Sequence, residues 1–437
     1  MDKQKPPVLI GFLVLLSLPA LLAGLSLALG LNIPYAVKLD LWTQPWIFAA
    51  WLLLFAFLVD VRRRKQPWLA LPPTDIAAML VLLVLSLTLR QVYAADTALS
   101  DVQLSRTLLA LGVGVAAYYG MAHYHERFAI PVYMALVLSA LALVPALLIF
   151  IYIQAPADAP AALFKWNLPG FGAVRLFGMA LEVGIVVALG LLVERQRRKG
   201  AVVLWLALVA LWAALFWTGG RGALISILGA ALVLSLVRPA LFKPIWGILL
   251  VSGAAGAALS LLIWLPAGAS FGVINMFTES IKPSIDAVSS GRIERWVDTI
   301  SLIAERPWLG HGLGQFSNLW PKYLAFDQSH ALAHPHPTYF LAYRTVHNIV
   351  LEILLAWGVI GGALGLWLLA KGWVKSLLGV RSTRTGLGIP AFLGLNTLLI
   401  HSLLAGVYAV PHGLFYIALF FGICLAPNPA QNENTKG

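Results

Sequence analysis

Two arginines and one histidine stand in local contexts suited to chemistry on an anionic group. Arg221 lies in TGGRGA, Arg292 in SSGRIERW, and His347 opens the run HNIVLEILLAWGVIGG. A guanidinium offers five donors in a fixed fork that matches phosphate oxygens. The glycines flanking Arg221 let a ligand approach the backbone, and a helix beginning at Arg292 adds the N–H groups that hold phosphate at helix starts. The positive end of a helix disfavours the imidazolium, and a neutral imidazole at His347 is what a general base requires. As a set, they suit a diphosphate leaving group and the deprotonation of a nucleophile. Taken singly, each has a plainer reading: an interface arginine, a solvated first-turn charge and a helix cap.

The other candidate groups are less specific. Five of the nine histidines fall between Pro266 and Asn348, namely His311, His330, His334, His336 and His347. HPHP keeps two of them apart on extended chain and no carboxylate cluster accompanies them, so no metal site is expected. Arg295 follows Arg292 by one helical turn, as a solvated charge or a secondary contact. Glu182 and Glu352 lie inside apolar runs, where an ionisable residue is a functional candidate by default. For Glu182, an ion pair with Arg175, seven residues earlier on the same helical face, is the alternative. Cys424 is the single cysteine, which excludes a disulfide framework and a cysteine metal site. No glycine run leads into Lys-Ser or Lys-Thr, so no nucleotide loop and no cofactor are expected. The substrate must then carry its own activation, as a lipid diphosphate does.

Lipid-embedded elements must position these groups. Of the 437 residues, 60% are hydrophobic and 11% charged, with a mean hydropathy of +0.86, whereas a soluble domain carries about 25% charged residues. The expected fold is an all-α integral membrane protein. A crossing needs about 20 apolar residues, and on that ruler the chain has about twelve transmembrane helices, near 9–32, 41–60, 75–93, 104–122, 128–153, 172–193, 201–218, 221–238, 243–265, 347–370, 387–405 and 412–427. The first run lacks a small-residue cleavage site and is expected to be retained. The formal charge of +12 sits in short clusters between spans, such as Arg62, Arg63, Arg64 and Lys65, which speaks for membrane topology and against nucleic acid. Most basic residues fall on one side if both termini are cytoplasmic, so the long stretch faces outward.

Three parts follow: a transmembrane bundle over 1–265 with about nine spans, an outer loop over 266–346, and C-terminal helices over 347–437. Within the loop, SSGRIERWVDTISLIAE places Ile293, Trp296, Val297, Ile300 and Ile303 on one stripe, which predicts an amphipathic helix on the membrane surface. A second short helix is expected in GQFSNLWPKYL.

The motifs TGGRGA, SSGRIERW, ERPWLGHGLGQF at 305–316, HNIVLEILLAWGVIGG and, more weakly, HSLLAGVYAVPHGLF from His401 together resemble the O-antigen ligase and polymerase superfamily of bacterial envelope glycosyltransferases. The resemblance covers roughly the second half of the chain. It implies a GT-C-like helical fold with a long periplasmic loop containing amphipathic helices, in the bacterial inner membrane. It also implies metal-free, inverting transfer of a glycan from undecaprenyl diphosphate. By the same resemblance Arg221 and Arg292 hold the diphosphate and His347 is the base; Arg295, Asn348 and His401 are substrate contacts. The acceptor separates three activities: a sugar of lipid A-core for a ligase, a second lipid-linked repeat for a polymerase, and Ser or Thr of a pilin-like protein for a protein O-oligosaccharyltransferase. A length of 437 residues without an appended domain suits the ligase. After His401 the chain reads LLAGVY, where pilin-type transferases carry an acidic-aromatic pair. A secondary transporter is the alternative from another class. It predicts repeats and a midplane site, and no repeat is evident here.

Overall fold

The structure is a computed structural model that describes residues 6–29, 35–64, 73–156, 159, 161–166, 168–171, 173–195, 200–269, 271–278, 291–320, 345–382 and 387–427. His330, His334, His336 and the rest of 321–344 lie outside the described residues, as does 279–290.

Every described element is helical. The chain begins with α1 (Pro7–Ala28), α2 (Tyr35–Arg64), α3 (Pro73–Val92), α4 (Thr97–Tyr124) and α5 (Glu126–Ile149), the last extended by a π turn to Gln154. It continues with α6 (Ala161–Trp166), α7 (Val174–Arg195), α8 (Ala201–Thr218), α9 (Arg221–Val237) and α10 (Phe242–Ser260). The stretch after α10 contributes α11 (Val273–Thr278), α12 (Arg292–Glu305) and α13 (Phe316–Leu319); then come α14 (Ile349–Ser382), α15 (Gly388–Leu404) and α16 (Pro411–Leu425). A helix stands at each of the twelve expected positions. Eight described helices are long and apolar enough to cross a membrane, and α9, α15 and α16 are apolar but shorter.

The hub is α7, where Ile185, Val186, Val187, Ala188 and Leu189 are buried on every side of the helix. A helix apolar all round belongs in the middle of a bundle. Around it pack α5, α8 and α15; α16 lies along α4, and α9 along α15. One apolar core runs from Val8 to Ile423, so the C-terminal helices complete the N-terminal bundle. In lipid this packing rests on dispersion and close fit, since the tails are as apolar as the side chains.

The motif at 305–316 has a structural task that its sequence did not disclose. Helix α14 is broken at Gly358 (φ 62, ψ −165), and a break in a helix strands backbone groups that need partners. The loop 307–312 supplies them. The N–H of His311 donates to the Leu355 carbonyl at 2.8 Å and that of Gly312 to Ala356 at 2.9 Å; Val359 N–H donates to Pro307 at 2.7 Å and Ile360 N–H to Trp308 at 3.3 Å. The backbones meet so closely that a Cβ on Gly310 would stand 2.5 Å from the Gly358 nitrogen. His311 is therefore structural, with Nε2 2.8 Å from the Leu302 carbonyl. On its far side the loop reaches the start of α4, where the Gln315 amide bonds the Asp96 carbonyl at 2.8 Å and Ser100 Oγ at 3.0 Å. The broken helix and the start of α4 thereby fix where α12 lies.

The predicted amphipathic helix is α12, and its stripe divides. Trp296 and Ile303 pack with Phe316, Trp320, Val346 and Leu355, while Ile293, Val297 and Ile300 are exposed. Of the second predicted helix, only Phe316–Leu319 is helical among the described residues.

Candidate active site

Arg221 and Arg292 occupy the same kind of position on different elements. Each is the first residue of a helix, α9 or α12, preceded by a glycine whose place leaves the terminal N–H groups without a side-chain cap. An uncapped helix start carrying an arginine combines oriented N–H donors, the positive end of the dipole and a guanidinium. The helices reach this arrangement differently. α8 and α9 are joined at Thr218–Arg221 through Gly219 at φ 68, so TGGRGA is a tight turn. α12 is set by the loop that plugs α14.

The tertiary fold brings these charges within electrostatic reach of one another. Burial and the charges of Arg175, Arg221 and Arg295 pull the Arg292 guanidinium down to about 10, so it remains charged at neutral pH. Burial, then Arg295, Arg292, Arg175 and His401, hold the His347 imidazole well below 6.5, so the ring is neutral. Arg175 is the member that sequence reasoning assigned elsewhere. Glu182, for which an ion pair with Arg175 is one of two readings of the sequence, takes His401: Nδ1 lies 2.8 Å from Oε1 and 2.9 Å from Oε2. His401 also rests against Gly222, where a Cβ would stand 2.9 Å from Nε2. The glycine after Arg221 therefore admits the imidazole to the start of α9.

His347 does not belong to the helix it was expected to open. It stands two residues before α14, at φ 61, a left-handed conformation rare for a side-chain-bearing residue. Its Nδ1 accepts the Gly406 N–H at 2.9 Å. A neutral imidazole has one donor and one acceptor nitrogen, so here the proton sits on Nε2. Asn348 is the cap of α14: its Oδ1 accepts from Val350 N–H at 3.0 Å and Leu351 N–H at 3.2 Å, and Nδ2 donates to the Leu403 carbonyl. Arg295 is half-buried, donates Nη1 to the Thr345 carbonyl at 3.4 Å and lies over the Trp320 ring. It thus ties α12 to the segment that carries His347.

The fold defines a multi-pass membrane protein in which the starts of α9 and α12 and the 345–348 segment bring arginines and His347 within electrostatic reach of one another. Residues 206–366 match the model of the Wzy_C family, described as O-antigen ligase. This segment, which carries Arg221, Arg292 and His347, is similar to the O-antigen ligase superfamily. The family supports glycan transfer of the ligase or polymerase type and lipid-linked glycan substrates in a membrane. Arg175, Glu182, His401 and Tyr408 lie outside the matched segment. Among curated proteins nothing matches.

Proposed function

We propose that the chain is an O-antigen ligase of the bacterial inner membrane. It transfers a glycan from undecaprenyl diphosphate to a sugar of lipid A-core at the periplasmic face, by inversion and without a metal. What supports this reading above all is the gathering of Arg175, Arg221 and Arg295 about Arg292, and of Arg295, Arg292 and Arg175 about a neutral His347. Like charges repel, and several guanidiniums sharing one partly buried site are stabilised by an anion of several charges. A diphosphate meets that requirement.

In the proposed step the acceptor hydroxyl loses its proton to His347 as its oxygen attacks the anomeric carbon. The bond from that carbon to the diphosphate oxygen breaks, and the electron pair leaves on the diphosphate, where Arg221 and Arg292 stabilise the growing charge. The basic lone pair of His347 is on Nδ1, where it accepts the Gly406 N–H, so the acceptor hydroxyl replaces that N–H. Arg295 keeps the 345 segment in register, and His401 contacts the substrate beside Arg221. The outer placement of the site follows the distribution of basic residues, and the three parts 1–265, 266–346 and 347–437 serve as bundle, loop and closing helices.

The test is transfer in vitro with purified protein, undecaprenyl-diphosphate glycan as donor and lipid A-core as acceptor. Glycan-capped lipopolysaccharide that is lost in His347→Ala carries the reading. Growth of the donor on its own lipid carrier reassigns the acceptor and makes the protein a polymerase. Transfer to a pilin-like protein makes it a protein O-oligosaccharyltransferase. No transfer to any acceptor overturns the reading.

A further inference from the structure

His347 is held in a left-handed backbone conformation that strains a residue with a side chain, and it persists only if its surroundings fix it. The contacts that do so converge on Glu352. One oxygen of this carboxylate, Oε2, accepts the Val346 N–H at 3.1 Å and the Tyr408 hydroxyl at 3.1 Å. The first partner adjoins His347 in the chain, and the second lies in the turn 407–409 between α15 and α16. That turn is anchored from behind, where fully buried Arg106 of α4 donates Nη1 to the Ala409 carbonyl at 3.2 Å. The His347 N–H meets Thr345 Oγ1 at 3.3 Å, which completes the local turn.

We propose that Glu352 and Tyr408 are positioning residues that clamp the His347 segment to the 407–409 turn, one carboxylate oxygen forming the joint. The inference rests on the proposed role of His347. It explains why a carboxylate stands at the start of an apolar helix: its work is to accept two hydrogen bonds. It also supplies what the proposed chemistry requires. When the acceptor hydroxyl displaces the Gly406 N–H from Nδ1, the imidazole loses its direct tie to that turn, and the clamp through Val346 keeps the ring in place.

The test compares Glu352→Gln, Glu352→Leu and Tyr408→Phe in the full-length protein. Transfer is measured against donor concentration, and backbone hydrogen exchange is followed over 345–348 and 403–409. Glutamine keeps an oxygen that accepts both donors, so this variant retains most of the wild-type kcat and exchange. Leucine removes the joint: kcat falls by at least about tenfold while the donor KM is unchanged, because loss of alignment acts on the reacting geometry, and exchange over 345–348 quickens. Tyr408→Phe removes one of the two bonds and gives a smaller change in the same direction. A glutamine variant as inactive as leucine overturns the proposal, since the charge or proton of Glu352 would then be what matters. Wild-type kcat in Glu352→Leu overturns it as well, as does unaltered exchange. If Glu352→Leu is not recovered from membranes, unchanged kcat and exchange in Tyr408→Phe decide against the clamp. Full transfer by His347→Ala in the same assay refutes the role of His347, while the exchange data still judge the clamp.

Discussion

The imidazole of His401 and the carboxylate of Glu182, 219 positions apart in the chain, face each other with Nδ1 at 2.8 and 2.9 Å from the two carboxylate oxygens. Glu182 is fully buried on α7, the central helix of the bundle. The pair therefore ties the hub of the fold to α15, and through the Gly222 contact to the helix start that bears Arg221. Breaking a buried pair by removing one partner typically costs about 3–5 kcal/mol. Glu182→Leu is expected to lower the melting temperature in detergent markedly. Glu182→Gln, which still accepts a hydrogen bond from Nδ1, is expected to lose less. Equal melting temperatures for the wild type and Glu182→Leu would show that the pair contributes nothing to the fold.

Arg221→Ala and Arg292→Ala are each expected to insert and purify normally but to lose transfer. Removing one donor to a developing negative charge costs about 2.7–4 kcal/mol of transition-state stabilisation, or about 100- to 1000-fold in kcat. Arg295→Ala, which loosens a segment and leaves both helix-start arginines in place, is expected to lose less. Steady-state kinetics of the purified variants check the order. Wild-type kcat in both helix-start variants would contradict the proposed mechanism.

The pH dependence follows from the charges around His347. Its folded-state pKa lies well below 6.5, through burial first and then Arg295, Arg292 and Arg175. The ring stays neutral as pH falls to 6.5, and the activity that depends on its lone pair disappears only at lower pH. Arg295→Ala removes the leading positive neighbour, so the His347 pKa rises and the acid limb of kcat moves to higher pH. A pH–rate profile of both proteins tests this sign. An acid limb already at 6.5 in the wild type, or one that moves down in Arg295→Ala, contradicts it.

The joint between the 307–312 loop and the broken helix α14 tolerates no side chain. Gly310 (φ 75) and Gly358 (φ 62) both have left-handed backbones, and a Cβ on Gly358 would lie 2.4 Å from the Trp308 carbonyl carbon and oxygen. Those neighbours are backbone and cannot swing aside. Gly358→Ala and Gly310→Ala are each expected to cost about 1–3 kcal/mol for overpacking, beyond the left-handed penalty of about 1–2 kcal/mol. They are also expected to reduce transfer, because α12 and Arg292 depend on that loop. Limited proteolysis and thermal melting report the first effect and the transfer assay the second.

Much of this protein is local in origin and could be read from the chain. An apolar run of sufficient length must become a helix in lipid, because no other conformation of one segment satisfies its own backbone. That rule located a helix at each expected position, and the period of α12 announced an amphipathic element. TGGRGA and SSGRIERW marked helix starts for the same reason: glycine before a helical pattern is a local signal, and in both an arginine follows.

What the sequence could not disclose depends on which elements meet. Nothing near Glu182 names His401, and the seven-residue spacing from Arg175 pointed to a different partner on the same helix. Only the packing of α7 against α15 decided between them. Gly358 sits in a continuous apolar run that meets the length rule for a span. The break there becomes tolerable only because a loop some fifty positions away supplies partners for the freed backbone groups. His347 is next to a helix start in the sequence, yet the placement of its proton on Nε2 comes from Gly406, and the neighbouring Val346 is held by Glu352, which also takes the Tyr408 hydroxyl. The chain by itself determined its solvent, its helices and the charged residues available for chemistry, since these follow from side-chain transfer energies and local hydrogen bonding. Tertiary structure alone decided which charges share a site and which nitrogen of His347 carries the proton, because those properties belong to distances between elements.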